Sequence, residues 1–191
     1  IDALLEHQSQ KLFILLRSIA MSYSFLFAKI SQDKRKALFS SIFKILDNYE
    51  SNISDSIQAA LLLLGALITI PSYADDFFMW STSSINEFST SQIYFCLKIY
   101  CMFFSLSNLA SSIVFSYFDK NNTFENLAKR ISLLYSSESK LYQTIILTYN
   151  NLIQAIIKFT GKANDLDVID IEECIGSDKP FSDFISPGFL R

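Results

Sequence analysis

Residues 11–30 read KLFILLRSIAMSYSFLFAKI, and they decide the fold class. Apolar residues recur here at intervals of four, three, four, three and four, as they do along one face of an α-helix. This stripe consists of Leu12, Leu16, Ile19, Tyr23, Leu26 and Ile30. The remaining faces also carry apolar side chains, so the helix must be buried from several directions. The pattern predicts one long helix over residues 2–30, roughly 40 Å in length at ~1.5 Å per residue, and self-association is one way to cover it.

The same kind of spacing, between capping residues, predicts helices along the next part of the chain. A second helix is expected from Ser31 or Asp33 to Tyr49. Its exposed side is expected to carry the basic residues Lys34, Arg35 and Lys36. A third helix is expected from Ser54 to Ile70, where Pro71 stops it.

Further capping signals continue to the end of the helical region. Ser84 with Glu87 has the spacing of a capping box, and Ser89 or Thr90 offers a second start for the same apolar helix. The helices after this one are predicted to start near Asn108, at Asn122 and at Glu138, the last of them running to Thr160.

Glycine and proline, which end helices and form tight hairpins, are rare in this chain, with 4 Gly and 3 Pro among 191 residues. An all-β sandwich or barrel is therefore excluded in favour of an all-α fold. We predict a multi-helix bundle of about seven to nine helices, with a long apolar first helix and a dimeric state. Residues 1–161 are expected to form this bundle, and residues 162–191 a partly extended tail.

The tail differs from the bundle in charge and in its content of apolar residues. Residues 162–191 hold seven acidic and three basic residues. Several large apolar residues nevertheless occur near its end, which a free linker would not carry. They are Phe181, Phe184, Ile185, Phe189 and Leu190. We expect the tail to dock either on its own helices or on another chain.

The sequence lacks the parts that most enzymes need. It contains no GxGxxG, GxxxxGK[ST] or GxSxG motif, and its only histidine is His7. Catalytic arrangements built on histidine are thereby limited to this residue, and we predict no enzyme activity. A net charge of −3 argues against direct binding of nucleic acid.

One metal site remains conceivable. His7 is interpreted either as a solvent-exposed or capping histidine or as half of a zinc site. In the second interpretation Cys174 is a second ligand, and a partner supplies the others, because a tetrahedral structural site needs four ligands. A structural zinc shared with a partner chain is thus the one cofactor that the sequence suggests.

The two other cysteines and the longest apolar stretch bear on the compartment. Cys96 and Cys101 lie in an aromatic and aliphatic run, where buried free thiols are ordinary. A reducing, intracellular compartment is expected by default. Residues 59–70 form the longest uncharged apolar stretch, well short of the ~20 residues of a membrane span. No membrane association is expected, and a start at Ile1 is expected of an excerpt from a longer protein.

The surplus of apolar residues points to contacts with other proteins. Several predicted helices are apolar on more than one face, and exposed apolar patches usually mark interaction sites. The segment between the third and fourth helices, a short helix or a partner-contacting loop, offers aromatic anchors. These predicted partner-binding residues are Phe77, Phe78, Met79 and Trp80. The alternatives are a scaffold subunit of another stable intracellular complex and a bundle that holds an apolar molecule.

The order of a long apolar first helix, a basic-faced second helix, an apolar third helix and further antiparallel helices resembles the TRF-homology domain of telomere proteins. The resemblance covers residues 1–160 at the level of helix order. It implies a homodimeric adaptor that bridges shelterin subunits by docking short segments of them in the nucleus, reaches DNA only through those partners, and shares a zinc through His7. The dimer interface that it implies consists of Leu12, Leu16, Ile19, Tyr23 and Leu26.

Overall fold

Helices are the only regular secondary structure among the residues that the computed structural model describes, which are 10–47, 53–134 and 140–160. The prediction of an all-α, multi-helix fold is confirmed. The nine α-helices of these residues are α1 (Gln10–Ser22), α2 (Ser24–Ala28), α3 (Gln32–Asp47), α4 (Ile53–Thr69), α5 (Pro71–Ser84), α6 (Thr90–Leu106), α7 (Asn108–Lys120), α8 (Thr123–Leu133) and α9 (Lys140–Thr160). A 3₁₀ turn, Ile85–Glu87, precedes α6.

The helices group into two compact units. Unit 1 comprises residues 1–81 and unit 2 residues 82–191. In unit 1, α1 and α3 both pack on α4. In unit 2, α6 packs on α9 and on α7, while α8 contacts the 3₁₀ turn. Each unit therefore has a central apolar helix, α4 in the first and α6 in the second.

Most predicted helix starts lie within two residues of the observed ones, and at Ser89 the predicted capping box is formed. Ser89 is the N-cap of α6: its hydroxyl accepts from Gln92 N, and Gln92 Oε1 accepts from Ser89 N at 3.0 Å. Ser84 makes no side-chain cap, so the second of the two predicted starts is correct. Pro71 ends α4 and begins α5, since a proline at the first helical position has no hydrogen bond to lose.

The long first helix is a wrong prediction in one respect, because the helix breaks at Tyr23. Tyr23 has φ −131° and ψ 47°, which are not helical values, and it separates α1 from α2. Ser22 and Ser24 flank the break, and serine favours helix ends because its hydroxyl competes for backbone hydrogen bonds. Beyond the break Phe27 is buried and its carbonyl accepts from Tyr73 Oη at 3.1 Å, so α2 is held to α5.

Aromatic rings form the core of unit 1 between α3 and α5. Phe39 lies edge-on to Phe77 at 5.4 Å between ring centroids, and Phe43 lies edge-on to Trp80 at 5.0 Å. Tyr73 meets Phe39 at 6.2 Å. Edge-to-face contacts of this kind add about 0.5–1.5 kcal/mol each beyond the burial of apolar area. The segment for which the sequence left a short helix or a loop open is thus the helix α5, and its aromatic rings pack into the core.

Unit 2 has its core along α9, as the spacing of apolar residues predicted. Ile145, Tyr149, Leu152 and Ile156 are all buried. The opposite face of α9 is mostly polar, with Gln143, Asn151 and Gln154 exposed among its residues. This division into a buried apolar face and an exposed polar face is the usual solution for a surface helix.

Candidate functional site

The most unusual surface among the described residues is the outer face of α4. Four of its side chains expose 39–56% of their area although all are large and apolar. They are Ile53, Ile57, Leu61 and Ile68. Intervals of four, four and seven residues place them on one side of a helix, over a length of roughly 22 Å at ~1.5 Å per residue.

Met21 of α1 extends this stripe sideways. A Cβ atom at Gly65 of α4 would lie 3.7 Å from Met21 Cγ, so the two helices approach closely at this glycine. Met21 is itself 60% exposed. Because Gly65 lies between Leu61 and Ile68 along α4, the thioether adjoins the stripe. We call Met21, Ile53, Ile57, Leu61 and Ile68 together the α1–α4 apolar face.

Charge is nearly absent from this surface. Asp55 is the only charged residue of α4, and it lies in the first turn. On α1 the nearest cation is Arg17, whose guanidinium donates to Gln58 Oε1 at 3.3 Å. The α1–α4 apolar face can therefore be covered by apolar side chains without burying an unpaired charge.

A second exposed apolar group lies on the turn from α1 into α2. Tyr23, Phe25 and Leu26 are each about half exposed, and the rings of Tyr23 and Phe25 meet edge-on at 6.3 Å. Since α2 also contacts α4, this group belongs to the same unit as the α1–α4 apolar face. Unit 1 thus leaves apolar side chains of three helices in solvent.

The predicted dimer interface is only partly exposed. Leu16 is 7% exposed and belongs to the core with Phe13 and Ala20, while Ile19 is half-buried. Tyr23 and Leu26 remain on the surface. The side chain of Leu12 lies outside the described residues. The reason for the difference is rotational: the buried face of α1 is centred on Phe13, Leu16 and Ala20, so among the described side chains it shares only Leu16 with the predicted stripe.

The predicted partner-binding residues also divide into core and surface. Phe77 and Phe78 have no exposed area, because α5 turns both rings inward against the aromatic core of unit 1. Trp80 is half-buried, and Met79 is 37% exposed. The two buried rings cannot receive a partner without opening this core.

Unit 1 also contains a polar network that was not predicted from the sequence. Asp76 is buried and accepts from Arg35 Nε at 2.5 Å and from Gln32 Nε2 at 2.6 Å. Arg35 also donates to the carbonyl of Ile30 at 2.6 Å. The sequence predicted Arg35 on the exposed side of α3, and this is wrong because its side chain turns toward α5. The signal for this network in the sequence is an acidic residue, Asp76, directly before the apolar Phe77.

Tyr73 completes this network. The Arg35 guanidinium lies 5.3 Å from the centre of the Tyr73 ring, within the range of a cation–π contact. Burial raises the pKa of the Tyr73 hydroxyl far above its ordinary value; Arg35 opposes this shift and Asp76 adds to it. The hydroxyl therefore stays protonated and donates its hydrogen bond to Phe27 throughout the physiological range. The network joins α2, α3 and α5 and is structural in character.

Cys96 and Cys101, the two cysteines that the structure describes, form no disulfide. Cys96 is fully buried, and the Cys101 thiol donates to the carbonyl of Thr148 at 3.5 Å. Burial raises the pKa of Cys101 to about 11, against a smaller opposing effect of Lys98. Since the thiolate is the reactive form, Cys101 is a weak nucleophile at neutral pH.

Metal binding was predicted at residues that the structure does not describe. His7 and Cys174 both lie outside the described residues. Within residues 10–47, 53–134 and 140–160, no group of three or more His, Cys, Asp or Glu side chains could hold a metal ion.

Among the described helices, none is by itself long and apolar enough to cross a membrane, and only the bent pair Ile53–Thr69 with Pro71–Glu87, at 120°, meets the length and composition of a span. The chain matches no protein-family model, no curated protein and no solved structure. The exposed faces of its helices are therefore the features from which a function can be inferred.

Proposed function

We propose that the protein is a non-enzymatic interaction adaptor that forms a homodimer through the α1–α4 apolar face and docks segments of partner proteins. The observation that carries this proposal is the exposed stripe of Ile53, Ile57, Leu61 and Ile68, which no charged side chain interrupts. Exposed apolar patches of this kind in soluble proteins usually mark sites of association.

A second copy of the chain is the occupant that this stripe fits best. In a two-fold dimer the same face is used by both copies, so an uncharged apolar stripe meets an uncharged apolar stripe. Two helices then pack at about 8–10 Å between axes, with Gly65 and Met21 at the edge of the contact. Tyr23 and Leu26, the exposed members of the interface predicted from the sequence, lie on the same unit and extend the contact.

A lipid surface fits the stripe less well. Helices that lie in a membrane interface typically carry Lys and Arg along their polar flank, which anionic headgroups attract. Helix α4 has no basic residue, and its one charge is the carboxylate of Asp55. Electrostatics would therefore not assist binding to an anionic membrane.

The test is the mass in solution of the full chain and of its Leu61→Arg variant. We expect the parent chain to have twice the 21.8 kDa chain mass at about 50 μM and the variant to have the single-chain mass, because an arginine in an apolar interface is costly to desolvate. Sedimentation velocity distinguishes these states. A parent that is monomeric, or a variant that stays dimeric, would contradict the proposal.

The matched control is Leu147→Arg on α9. Leu147 is also a half-exposed leucine in the middle of a helix, but its exposed neighbours Gln143, Asn151 and Gln154 are polar. This variant should keep the mass of the parent.

The membrane alternative is tested by sedimenting the parent chain and the Leu61→Arg variant with phosphatidylcholine–phosphatidylserine vesicles. If the parent binds the vesicles and Leu61→Arg does not, the α1–α4 apolar face binds lipid and the dimer proposal is replaced by a lipid-binding function.

For the partners, the resemblance to the TRF-homology domain supports shelterin subunits and hence a nuclear, telomeric location. Native affinity purification of the full chain should then recover telomere-cap proteins, with zinc in the eluate only when they are bound. Recovery of a different stable assembly would favour the second candidate, a scaffold subunit whose apolar face is permanently covered. In that case the chain expressed alone should aggregate, while co-expression with its neighbour should keep it soluble.

A further inference from the structure

Unit 2 contains a cavity of about 390 Å³ at the end of α9. Three helix ends surround it: the last turn of α6, the first turn of α7 and the last two turns of α9. Its lining residues are Phe104, Ser105, Ser107, Ser111, Ala155, Lys158 and Phe159. This volume lies within the range of about 300–1,000 Å³ that is typical of ligand sites.

Part of the cavity wall is aromatic. Phe104 and Phe159 are both part of the lining, and their ring centroids lie 6.0 Å apart. Phe115 contacts the Phe159 ring from α7 at 5.9 Å. Another aromatic side chain inserted here would meet rings at the distances that favour edge-to-face contacts.

The serine hydroxyls of the wall are already bonded to nearby main-chain atoms. Ser105 donates to the carbonyl of Met102 at 2.7 Å, and Ser111 donates to the carbonyls of Phe104 at 3.1 Å and Ser107 at 2.9 Å. Ser107 accepts from Ala110 N at 3.1 Å as the N-cap of α7. The cavity therefore suits an apolar occupant that brings no large polar group to these positions.

Lys158 supplies the one charge of the lining. It is exposed, and no ion pair to it is found within the described ranges. A carboxylate on the occupant would lie in the field of this ammonium group, although a pair this exposed is worth only about 0.2–1 kcal/mol.

The chain itself continues from this place with a segment of matching chemistry. Helix α9 ends at Thr160, next to Phe159 of the lining. Residues 162–191 carry seven acidic and three basic residues, a net charge of −4, opposite to that of Lys158. Within them, residues 181–185 read FSDFI, with one phenylalanine on each side of Asp183.

We propose that residues 181–185 of the same chain occupy this cavity, with the Phe184 ring against Phe104 and Phe159 and with Asp183 beside Lys158. The 20 residues from Gly161 to Pro180 could span at most roughly 70 Å, so they can return the segment to the end of α9. A tether of this kind gives an effective concentration of about 1 mM or more, and even a weak site is then filled.

Hydrogen exchange of the full chain, read by mass spectrometry, tests this assignment. We expect the amides of residues 181–185 to exchange at least about 10-fold more slowly than in the Ser105→Trp variant, whose indole would block the mouth of the cavity. Ser105 is exposed and bonds only to its own helix, so this substitution should leave α6 intact. Unprotected amides in the parent, or equal protection in Ser105→Trp, would overturn the proposal.

The matched control is Ser116→Trp on α7. Ser116 is also exposed and donates to the carbonyl three residues earlier, Ile113, at 2.7 Å, but it does not line the cavity. Protection in this variant should equal that in the parent. Loss of protection in both variants would mean that any added indole disturbs the segment, and it would contradict the cavity as its site.

Two further measurements fix the contact and its connectivity. Lys158→Glu and Asp183→Lys should each reduce the protection about 3-fold, and the two changes together should restore it.

Protection that is the same over a 100-fold range of protein concentration supports binding within one chain. Protection that rises with concentration would overturn the assignment in favour of the same segment from a second copy.

Discussion

Helices α4 and α9 are both rich in apolar residues, yet they differ in which side chains they expose. Helix α9 buries Ile145, Tyr149 and Leu152 and exposes a largely polar face. Helix α4 buries Leu62, Leu63 and Leu67 and still exposes Ile57, Leu61 and Ile68. Unit 2 thus covers the apolar stripe of its last helix, whereas unit 1 presents one to its surroundings. The difference supports the proposal that unit 1 is the part of the chain through which it associates.

The sharpest way to break this comparison is to place the same charge on both helices. Leu152→Arg buries a guanidinium in the core of unit 2, where Leu152 has no exposed area, and should cost about 5 kcal/mol or more. Far-UV circular dichroism should show a loss of helix at 25 °C. Leu61→Arg should keep the helical signal of the parent, and a similar loss there would show that the outer face of α4 is not exposed.

Truncation of Phe77 should have the next largest effect. The Phe77 ring is fully buried against Phe39 and Phe43, so Phe77→Ala should lower the free energy of unfolding by about 3–5 kcal/mol. Urea denaturation measures this change. Met79→Ala, two residues away and partly exposed, should cost less than about 1.5 kcal/mol. If both substitutions leave stability unchanged, α5 does not carry the core, and the prediction that Phe77 contacts a partner is again open.

The polar network of unit 1 predicts a smaller loss at Asp76. Asp76→Ala leaves the mostly buried Arg35 without its carboxylate partner and also removes the acceptor of Gln32, which should destabilise the chain by about 2–3 kcal/mol in the same denaturation experiment. The neighbouring Asp75 is exposed, and Asp75→Ala should change stability by less than about 0.5 kcal/mol. Equal effects at the two positions would show that the carboxylate of Asp76 is not the one that holds Arg35.

Sequence reasoning predicted much of the helical framework but little of the candidate site. Pro71 and Ser89 mark helix ends locally, through a missing amide hydrogen and a side-chain cap, so their effect can be read without the rest of the chain. The exposed face of α4 could not be recognised in this way. A helix that is apolar all round shows no periodic contrast between its faces, and only the packing of α1 and α3 decides that Leu61 remains outside.

The same limit applies to individual side chains. Arg35 lies between two lysines that spacing would place in solvent, and its direction is decided by Asp76, 41 positions later in the chain. The hydrogen bond from Tyr73 to the Phe27 carbonyl likewise joins residues 46 positions apart. Long-range partners of this kind leave no periodic signal near the residue that they orient.

The smallest predicted effect concerns a rate and tests the closed packing of unit 2. Burial raises the pKa of Cys101 to about 11, so at pH 8 its thiolate fraction should be about 100-fold below that of a thiol with the ordinary value of 9.0. Iodoacetamide should accordingly modify Cys101 much more slowly in the folded chain than in urea. Between pH 9 and 11 the Cys101 thiol ionises in the unfolded chain but stays neutral in the folded one. The folded state should therefore lose stability as the pH rises from about 9 towards 11. A Ser116→Cys variant provides the exposed reference thiol in the same unit. Equal rates at positions 101 and 116, resolved by peptide mass spectrometry, would show that α6 and α9 separate readily at Thr148 and that unit 2 is less closed than its core implies.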